Sequence, residues 1–188
     1  MLYGAEMAAS APQRPSLRSK TVPLDDYGDN FERPAMIIRD GAIQDVEQMS
    51  AFLRQLTASG KRTSPDDEAF VRAHYIEDPD KVRCSVAEAD GVILGFQSLK
   101  RAGVGNKWGV KPGWGIIGTH IHPAAARRGV GRALFAITRK AAGEAGLSYI
   151  DASIAATNPE ALAYYEAMGF RTYRTPEGLI CKRFDVSV

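Results

Sequence analysis

Cysteine is nearly absent. The chain has 188 residues and two cysteines, Cys84 and Cys181. Two are too few for a disulfide framework or a four-cysteine zinc site. Each sits among apolar residues and reads as a buried thiol, and no metal is expected. An excess of either charge is missing too. Lys and Arg number 24 against 22 Asp and Glu, a formal net charge of +2. Nucleic-acid binding wants a concentrated basic face, so this balance points away from it. No run of about 18 apolar residues occurs, so no segment reads as a membrane span. What remains is ordinary: 45% hydrophobic and 24% charged, enough for one buried core.

Residues 1–35 differ from the rest. They hold Pro12, Pro15, Pro23 and Pro34, four of the ten prolines. Neither a helical nor a strand period persists there. Basic Arg14, Arg18 and Lys20 precede acidic Asp25, Asp26, Asp29 and Glu32. Met1 to Ala11 lacks the basic start and solid apolar block of a signal peptide, so a cytoplasmic protein is expected. Residues 1–35 read as an N-terminal extension: a flexible arm, the product of a start upstream of Met36, or a contact with a partner subunit. Residues 36–188 read as a single folded domain.

Met36 to Arg39 reads as a strand. Ile43, Val46, Met49, Leu53 and Leu56 form one helical stripe that stops near Gly60. Ser64-Pro65-Asp66-Asp67-Glu68 predicts a second helix with Ser64 as its N-cap, running to about Tyr75. Strands are predicted over 82–88 and 92–99, joined by a turn at Ala89-Asp90-Gly91. A glycine-rich loop covers 101–113, and a strand follows over 114–121. A helix from Gly129 to Ala145, a strand over 147–154 and a helix from Asn158 to Met168 come next. Gly169 reads as the cap of that last helix. Two strands close the chain. The order is β-α-α-β-β-β-α-β-α-β-β, an α/β arrangement in which helices cover a mixed sheet.

Two segments carry chemistry. In the first, a strand ends at Pro123, and Ala124-Ala-Ala-Arg127-Arg128-Gly129-Val130-Gly131-Arg132 opens a helix. A helix start has unpaired amides and partial positive charge, and glycine lets an anion approach the backbone. With three arginines it reads as an anion site suited to a phosphate or pyrophosphate, with a plain strand–turn–helix carrying solvated arginines as the alternative. It is neither a Walker loop nor a dinucleotide fingerprint: Arg132 and Leu134 stand where those patterns need Lys and Gly. The second segment is Asn158-Pro-Glu-Ala161-Leu162-Ala-Tyr164-Tyr165-Glu166-Ala-Met-Gly169-Phe170. Asn158 is its N-cap and Pro159 its first helical residue. Ala161, Leu162 and Tyr165 share one face, and Tyr164 points about a quarter turn away.

Together these segments resemble the GNAT acyltransferase superfamily, over about Met36 to Phe184. The loop is similar to the family's Gln/Arg-x-x-Gly-x-Gly/Ala, with Ala126 in place of Gln or Arg. The family's later pattern, Asn-x-x-Ala-x-x-x-Tyr-Glu-x-x-Gly-Phe, is met by Asn158, Ala161, Tyr165, Glu166, Gly169 and Phe170. The resemblance implies an acyl-CoA N-acyltransferase fold with splayed central strands, and an N-acetyltransferase domain over 36–188. It implies acetyl-CoA as cosubstrate. Arg127, Arg128, Gly129, Val130, Gly131 and Arg132 would hold the pyrophosphate. Backbone groups around Ile121 and His122, with Asn158, Ala161 and Tyr165, would line the pantetheine arm. Homodimers are common in the family.

The family's chemistry is direct attack of a neutral amine on the thioester. The leaving thiolate needs a proton, and Tyr165, with an ordinary pKa of about 10, carries one at neutral pH. A lysine-like amine with a pKa of about 10.4 is neutral about once in 10³ molecules at pH 7, which costs about 4–5 kcal/mol. A base would help. The strand 114–121 has no carboxylate. His120 is the preferred base there, and a water held by Thr119 is an alternative. Relatives have a bulge in this strand, so alternation does not say which face His120 takes. Lys107 and Lys111 in the glycine-rich loop hint at an acceptor with a carboxylate. The layout is similar to the small-molecule branch that includes phosphinothricin-type acetyltransferases, so an amino acid or its analogue is the expected acceptor. A protein N-terminus or lysine is the alternative acceptor. A coenzyme-binding sensor without turnover is the reading from another class, and an intact Tyr165 argues against it.

Overall fold

Strand alternation and one tight turn build the first half of the sheet. The computed structural model describes residues 35–187, and the expectations for the segment before them lie outside the described residues. β1 (Ile37–Asp40), β2 (Lys81–Ala89), β3 (Val92–Arg101) and β4 (Gly115–Ile121) pair in sequence, all antiparallel. Asp90 and Gly91 join β2 to β3 with φ of 50° and 75°. Two positive φ values match the right-handed twist of the strands they join.

The second half is β5 (Tyr149–Ala155), β6 (Arg171–Arg174) and β7 (Leu179–Asp185), and the full order is β1-β2-β3-β4-β5-β7-β6. β5 runs parallel to β4, and the two pair only at Gly115–Ile150 and Ile116–Asp151. Both strands continue past that point without pairing to each other, so the centre of the sheet splays. Gly115 permits the junction: a Cβ there would lie 2.9 Å from Leu99 Cδ1 and 3.1 Å from Leu147 Cδ1.

Helices cover both faces. α1 (Val46–Ala58) buries Met49, Phe52 and Leu53 against Val86 and Phe96. Ile43, expected on the same stripe, lies in a short 3-10 turn before the helix and is exposed. α2 (Glu68–Val71) starts later than expected. Its N-cap is Asp67, which accepts from the Phe70 amide at 2.9 Å, and not Ser64. Two contacts hold the preceding segment out of the helix. Ser50 Oγ donates to the Asp66 carbonyl, and Arg62 Nη2 donates to the Pro65 carbonyl. α2 continues into a wide π turn, Arg72–Ile76.

α3 (Val130–Glu144) lies on the opposite face, with Val130 and Leu134 against Ala87. α4 (Pro159–Ala167) follows β5. Gly169, with φ of 98°, ends α4 and turns Phe170 into the core. Phe170 lies 5.0 Å from Tyr165 and 5.4 Å from both Phe135 and Phe184, measured between ring centres. Burying one such ring stabilises the fold by about 2–3 kcal/mol. Among the described residues no helix is long and apolar enough to cross a membrane. No group of three His, Cys, Asp or Glu side chains among them could hold a metal ion.

Candidate active site

The β3–β4 register decides which way each β4 side chain faces. Thr119 lies opposite Gln97, and His120 opposite Phe96. Directly opposed residues share a face. Phe96 packs under α1, so His120 faces α1 and α2, and Thr119 faces α3 and α4. The bulge expected in β4 is not there: its register with β3 runs from Gly115 to Ile121 without a shift. The His122 amide donates to the Leu94 carbonyl at 2.9 Å. In an antiparallel pair the bonding alternates, so Ile117, Thr119 and Ile121 turn their amides and carbonyls toward β5; the Ile116–Asp151 pairing uses the Ile117 amide, and the groups of Thr119 and Ile121 face the gap. His122 also accepts from Ala125 through its carbonyl. Both its backbone groups are therefore used inside the protein, and those of Ile121 face the gap.

On the α3 and α4 side, Tyr165 is buried with its hydroxyl 2.9 Å from Thr119 Oγ1. Burial pushes its pKa well above the ordinary tyrosine value. Gln97, also buried, donates from Nε2 to Thr119 Oγ1 at 2.7 Å and to the Tyr164 hydroxyl at 3.2 Å. Tyr164 then donates to the Gly131 carbonyl at 2.9 Å. This chain joins β3, β4 and α4 to the first turn of α3. Gly131, read from the sequence as room for a phosphate, also makes room for a ring: a Cβ there would lie 2.7 Å from Tyr164 Cε2. Gln97 and Tyr164 were not legible as site residues. Their signals were faint: a polar residue in the middle of an apolar strand, and a second tyrosine.

On the α1 and α2 side, His120 Nε2 lies 3.3 Å from the Tyr75 hydroxyl, and its ring packs 4.7 Å from Phe96. Burial, with a smaller push from the Arg62 charge, takes its pKa down to about 3. At neutral pH it is the free base, and its Nε2 shares a hydrogen bond with the Tyr75 hydroxyl. Arg62 reaches the same region. Its Nε is buried and has no hydrogen-bond partner among the described residues. Arg62, His74, Tyr75, Ser98, Trp108, His120, Ser153 and Tyr165 are among the residues that line a single cleft of about 280 Å³. The 102–114 loop reaches it through Trp108, whose carbonyl accepts from Arg174 Nη2 at 2.6 Å.

The anion loop follows β4. Arg127 and Gly129 have φ of 60° and 80°, which folds the chain back on itself just before α3. The amides of Val130, Gly131 and Arg132 lie in the first turn and have no carbonyl within the helix to bond. Arg127, Arg128 and Arg132 are exposed. Across the splay, Asn158 caps α4 by accepting from the Ala161 amide at 3.0 Å, which frees its Nδ2, and both residues line the cleft. Unpaired strand amides, helix-start amides and three arginines are the donor set that an amide-containing thioester with a pyrophosphate requires. Acyl-CoA is such a molecule.

A mixed sheet splayed at its centre, with an arginine-flanked helix start beside the splay, is the architecture of the acyl-CoA N-acyltransferases. The sequence profile of the Acetyltransferase (GNAT) family matches residues 47–170, and the chain belongs to that family. No curated protein matches it. Among solved structures, the PaiA N-acetyltransferase of Thermoplasma acidophilum, in complex with coenzyme A, is 17% identical with a TM-score of 0.62, covering 80% of this chain and 99% of its own. One provisionally described as a phosphinothricin N-acetyltransferase is 19% identical with a TM-score of 0.66, covering 82% and 100%. Ribosomal-protein-alanine N-acetyltransferase of Brucella melitensis is 18% identical at 0.66, covering 79% and 99%. Small-molecule and protein acceptors thus occur at equal structural likeness, and the fold alone does not distinguish them.

Proposed function

We propose that this acetyltransferase moves an acetyl group from acetyl-CoA to the amine of a small carboxylate-bearing molecule, an amino acid or its analogue. The observation that carries this is Arg62. Its guanidinium lines the cleft, and its Nε has no hydrogen-bond partner among the described residues, so the positive charge there suits an anion. A cleft of about 280 Å³ suits a small molecule. We assign the catalytic domain to residues 36–188, with residues 1–35 as an extension.

Acetyl-CoA would supply the electrophilic carbonyl and the thiol leaving group. The amides of Val130, Gly131 and Arg132, with Arg127 and Arg128, hold its pyrophosphate. Ile121, Asn158 and Ala161 line the path of its arm. Tyr165 is the general acid. Thr119 Oγ1 accepts from Gln97, so the hydrogen of Thr119 is available to the Tyr165 oxygen and the phenol hydrogen is free for the sulfur. A raised pKa keeps that hydrogen in place until a thiolate forms. His120, with its pKa down at about 3, is a weak base for an amine. We give it the task of ordering Tyr75 at the acceptor wall.

Thiol release from acetyl-CoA over a panel of amines tests the proposal. Amino acids should turn over, and the same amines without a carboxylate should turn over poorly. Turnover of peptide N-termini or protein lysines in preference to all small amines would sink it.

A further inference from the structure

The amine must shed a proton, and His120 is a poor place to put it. β5 offers another. Asp151 is the pairing partner of Ile116, so Asp151 and Ser153 face the same side of the sheet as Ile116, Gly118 and His120, the acceptor side. Ser153 lines the cleft together with His120 and Tyr165. Its Oγ donates to Asp151 Oδ1 at 2.8 Å. Asp151 itself is fully buried behind it.

The groups around Asp151 come from four elements. Tyr173 on β6 donates to Oδ2 at 2.8 Å, and Arg174 Nη2 lies 4.0 Å from Oδ2. Arg183 is the cross-strand neighbour on β7, with its guanidinium 4.7 Å from the Tyr149 ring centre. Cys181 Sγ, also on β7, lies 3.4 Å from Ser153 Oγ. Tyr165 on α4 is close enough for the two groups to feel each other's charge. Tyr173 and Arg174 would suffice to anchor a purely structural carboxylate. Ser153 adds something they do not: a hydroxyl that connects the carboxylate to the cleft.

We propose that Ser153 and Asp151 take the acceptor's proton. Ser153 Oγ receives a proton from the amine nitrogen as it passes its own to Asp151 Oδ1. The serine ends unchanged, the carboxylate ends as a carboxylic acid, and the nitrogen keeps the electron pair that bonds the acetyl carbon. In each turnover Asp151 gains one proton from the ammonium, the acylated nitrogen releases its second surplus proton to water as the carbon–sulfur bond breaks, and Tyr165 loses one to the sulfur. Exchange with water restores both. Burial raises the Asp151 carboxyl above the usual carboxylate range, which makes it a stronger acceptor than His120. This inference rests on an amine being the acceptor.

The test is the pH profile of kcat/KM for an amine the full chain acetylates, in Ser153→Ala, Ser153→Thr and Asp151→Asn. Ser153→Ala should lower kcat at least 10-fold, within the range of about 10²–10⁴ for proton-transfer groups or just below it. Its acidic limb should move to higher pH, and its KM for acetyl-CoA should stay near wild type. Ser153→Thr, which keeps the hydroxyl, should recover most of the loss. A wild-type rate and profile in Ser153→Ala overturns the proposal. So does a loss confined to Asp151→Asn, which would make Asp151 only an anchor for Tyr173 and Arg174. If Asp151→Asn does not fold, the two serine variants decide. If no amine is acetylated, the amine reading itself fails, and the carboxyl ¹³C titration of Asp151 decides the proton site. A midpoint well above the ordinary value of about 3.9 supports the site, and an ordinary midpoint overturns it.

Discussion

The Tyr165 hydroxyl lies 2.9 Å from Thr119 Oγ1, across the line where β4 and β5 part. Tyr165 packs on the core around β5, and Thr119 belongs to β4. The phenol is therefore carried by one half of the sheet and oriented by the other.

Tyr165→Phe should lower kcat about 10²–10⁴-fold, the usual worth of a positioned acid. KM for acetyl-CoA should stay within about two-fold, because the ring and its packing remain. Steady-state kinetics over both substrates reads the split. A wild-type kcat would remove Tyr165 as the acid.

Gly131→Ala should destabilise the protein by about 1–3 kcal/mol, the usual cost of overpacking. The added methyl would press on the Tyr164 ring at 2.7 Å. Coenzyme binding should weaken as well, because the first turn of α3 shifts. Adding Tyr164→Leu should recover part of the lost stability. Thermal melts and coenzyme titration on the three variants check this. Equal loss in the single and double variants would mean that the ring is not the obstacle.

Arg62→Gln should raise KM for carboxylate-bearing amines about 10-fold or more, the equivalent of a charge-assisted hydrogen bond of about 1.5–3 kcal/mol. Amines without a carboxylate should be indifferent to the change. The contrast between the two classes is the measurement, because a general disturbance of the cleft would affect both.

His120 makes stability depend on pH in a defined direction. Its folded pKa, about 3, lies below its ordinary 6.5. Between those values the unfolded chain binds the proton and the folded one does not, so stability falls as pH drops from about 6.5 toward 3. The contribution is up to about 1.4 kcal/mol for each pH unit, less any screening by water in the cleft. His120→Gln should flatten that part of the curve in denaturant titrations at pH 7, 6 and 5. An unchanged slope would show that His120 titrates alike in the folded protein and the unfolded chain.

A chain that begins at Met36 should keep its turnover and its mass in solution per chain. The family profile starts at residue 47, and every group assigned to the chemistry lies beyond it. A drop from dimer to monomer on truncation would assign residues 1–35 to a subunit contact.

Much of the fold was legible because its signals are local. Asn158 before Pro159, Gly169 after α4 and Asp90-Gly91 between strands each act within a few residues of themselves. The start of α2 misled for the opposite reason. Ser64 has the chemistry of a cap, but contacts from Ser50 and Arg62 move the cap to Asp67. The site shows the same division. Tyr165 and the anion loop belong to compact patterns. Gln97, Tyr164, Ser153 and Asp151 acquire meaning only from register: which residue lies opposite which, and on which face. His120 stood two residues from Gly118 and one from Thr119 in the sequence, yet its side was set by Phe96 on another strand.

The two-pair seam between β4 and β5 has a consequence for ligand and stability together. Among the described residues, no strand completes the edges of Thr119 and Ile121. A bound molecule with amides of its own would serve there as a surrogate strand, bridging two half-sheets otherwise stitched at Gly115 and Ile116 alone. Occupancy would then be felt as rigidity throughout the molecule, far from the reacting atoms.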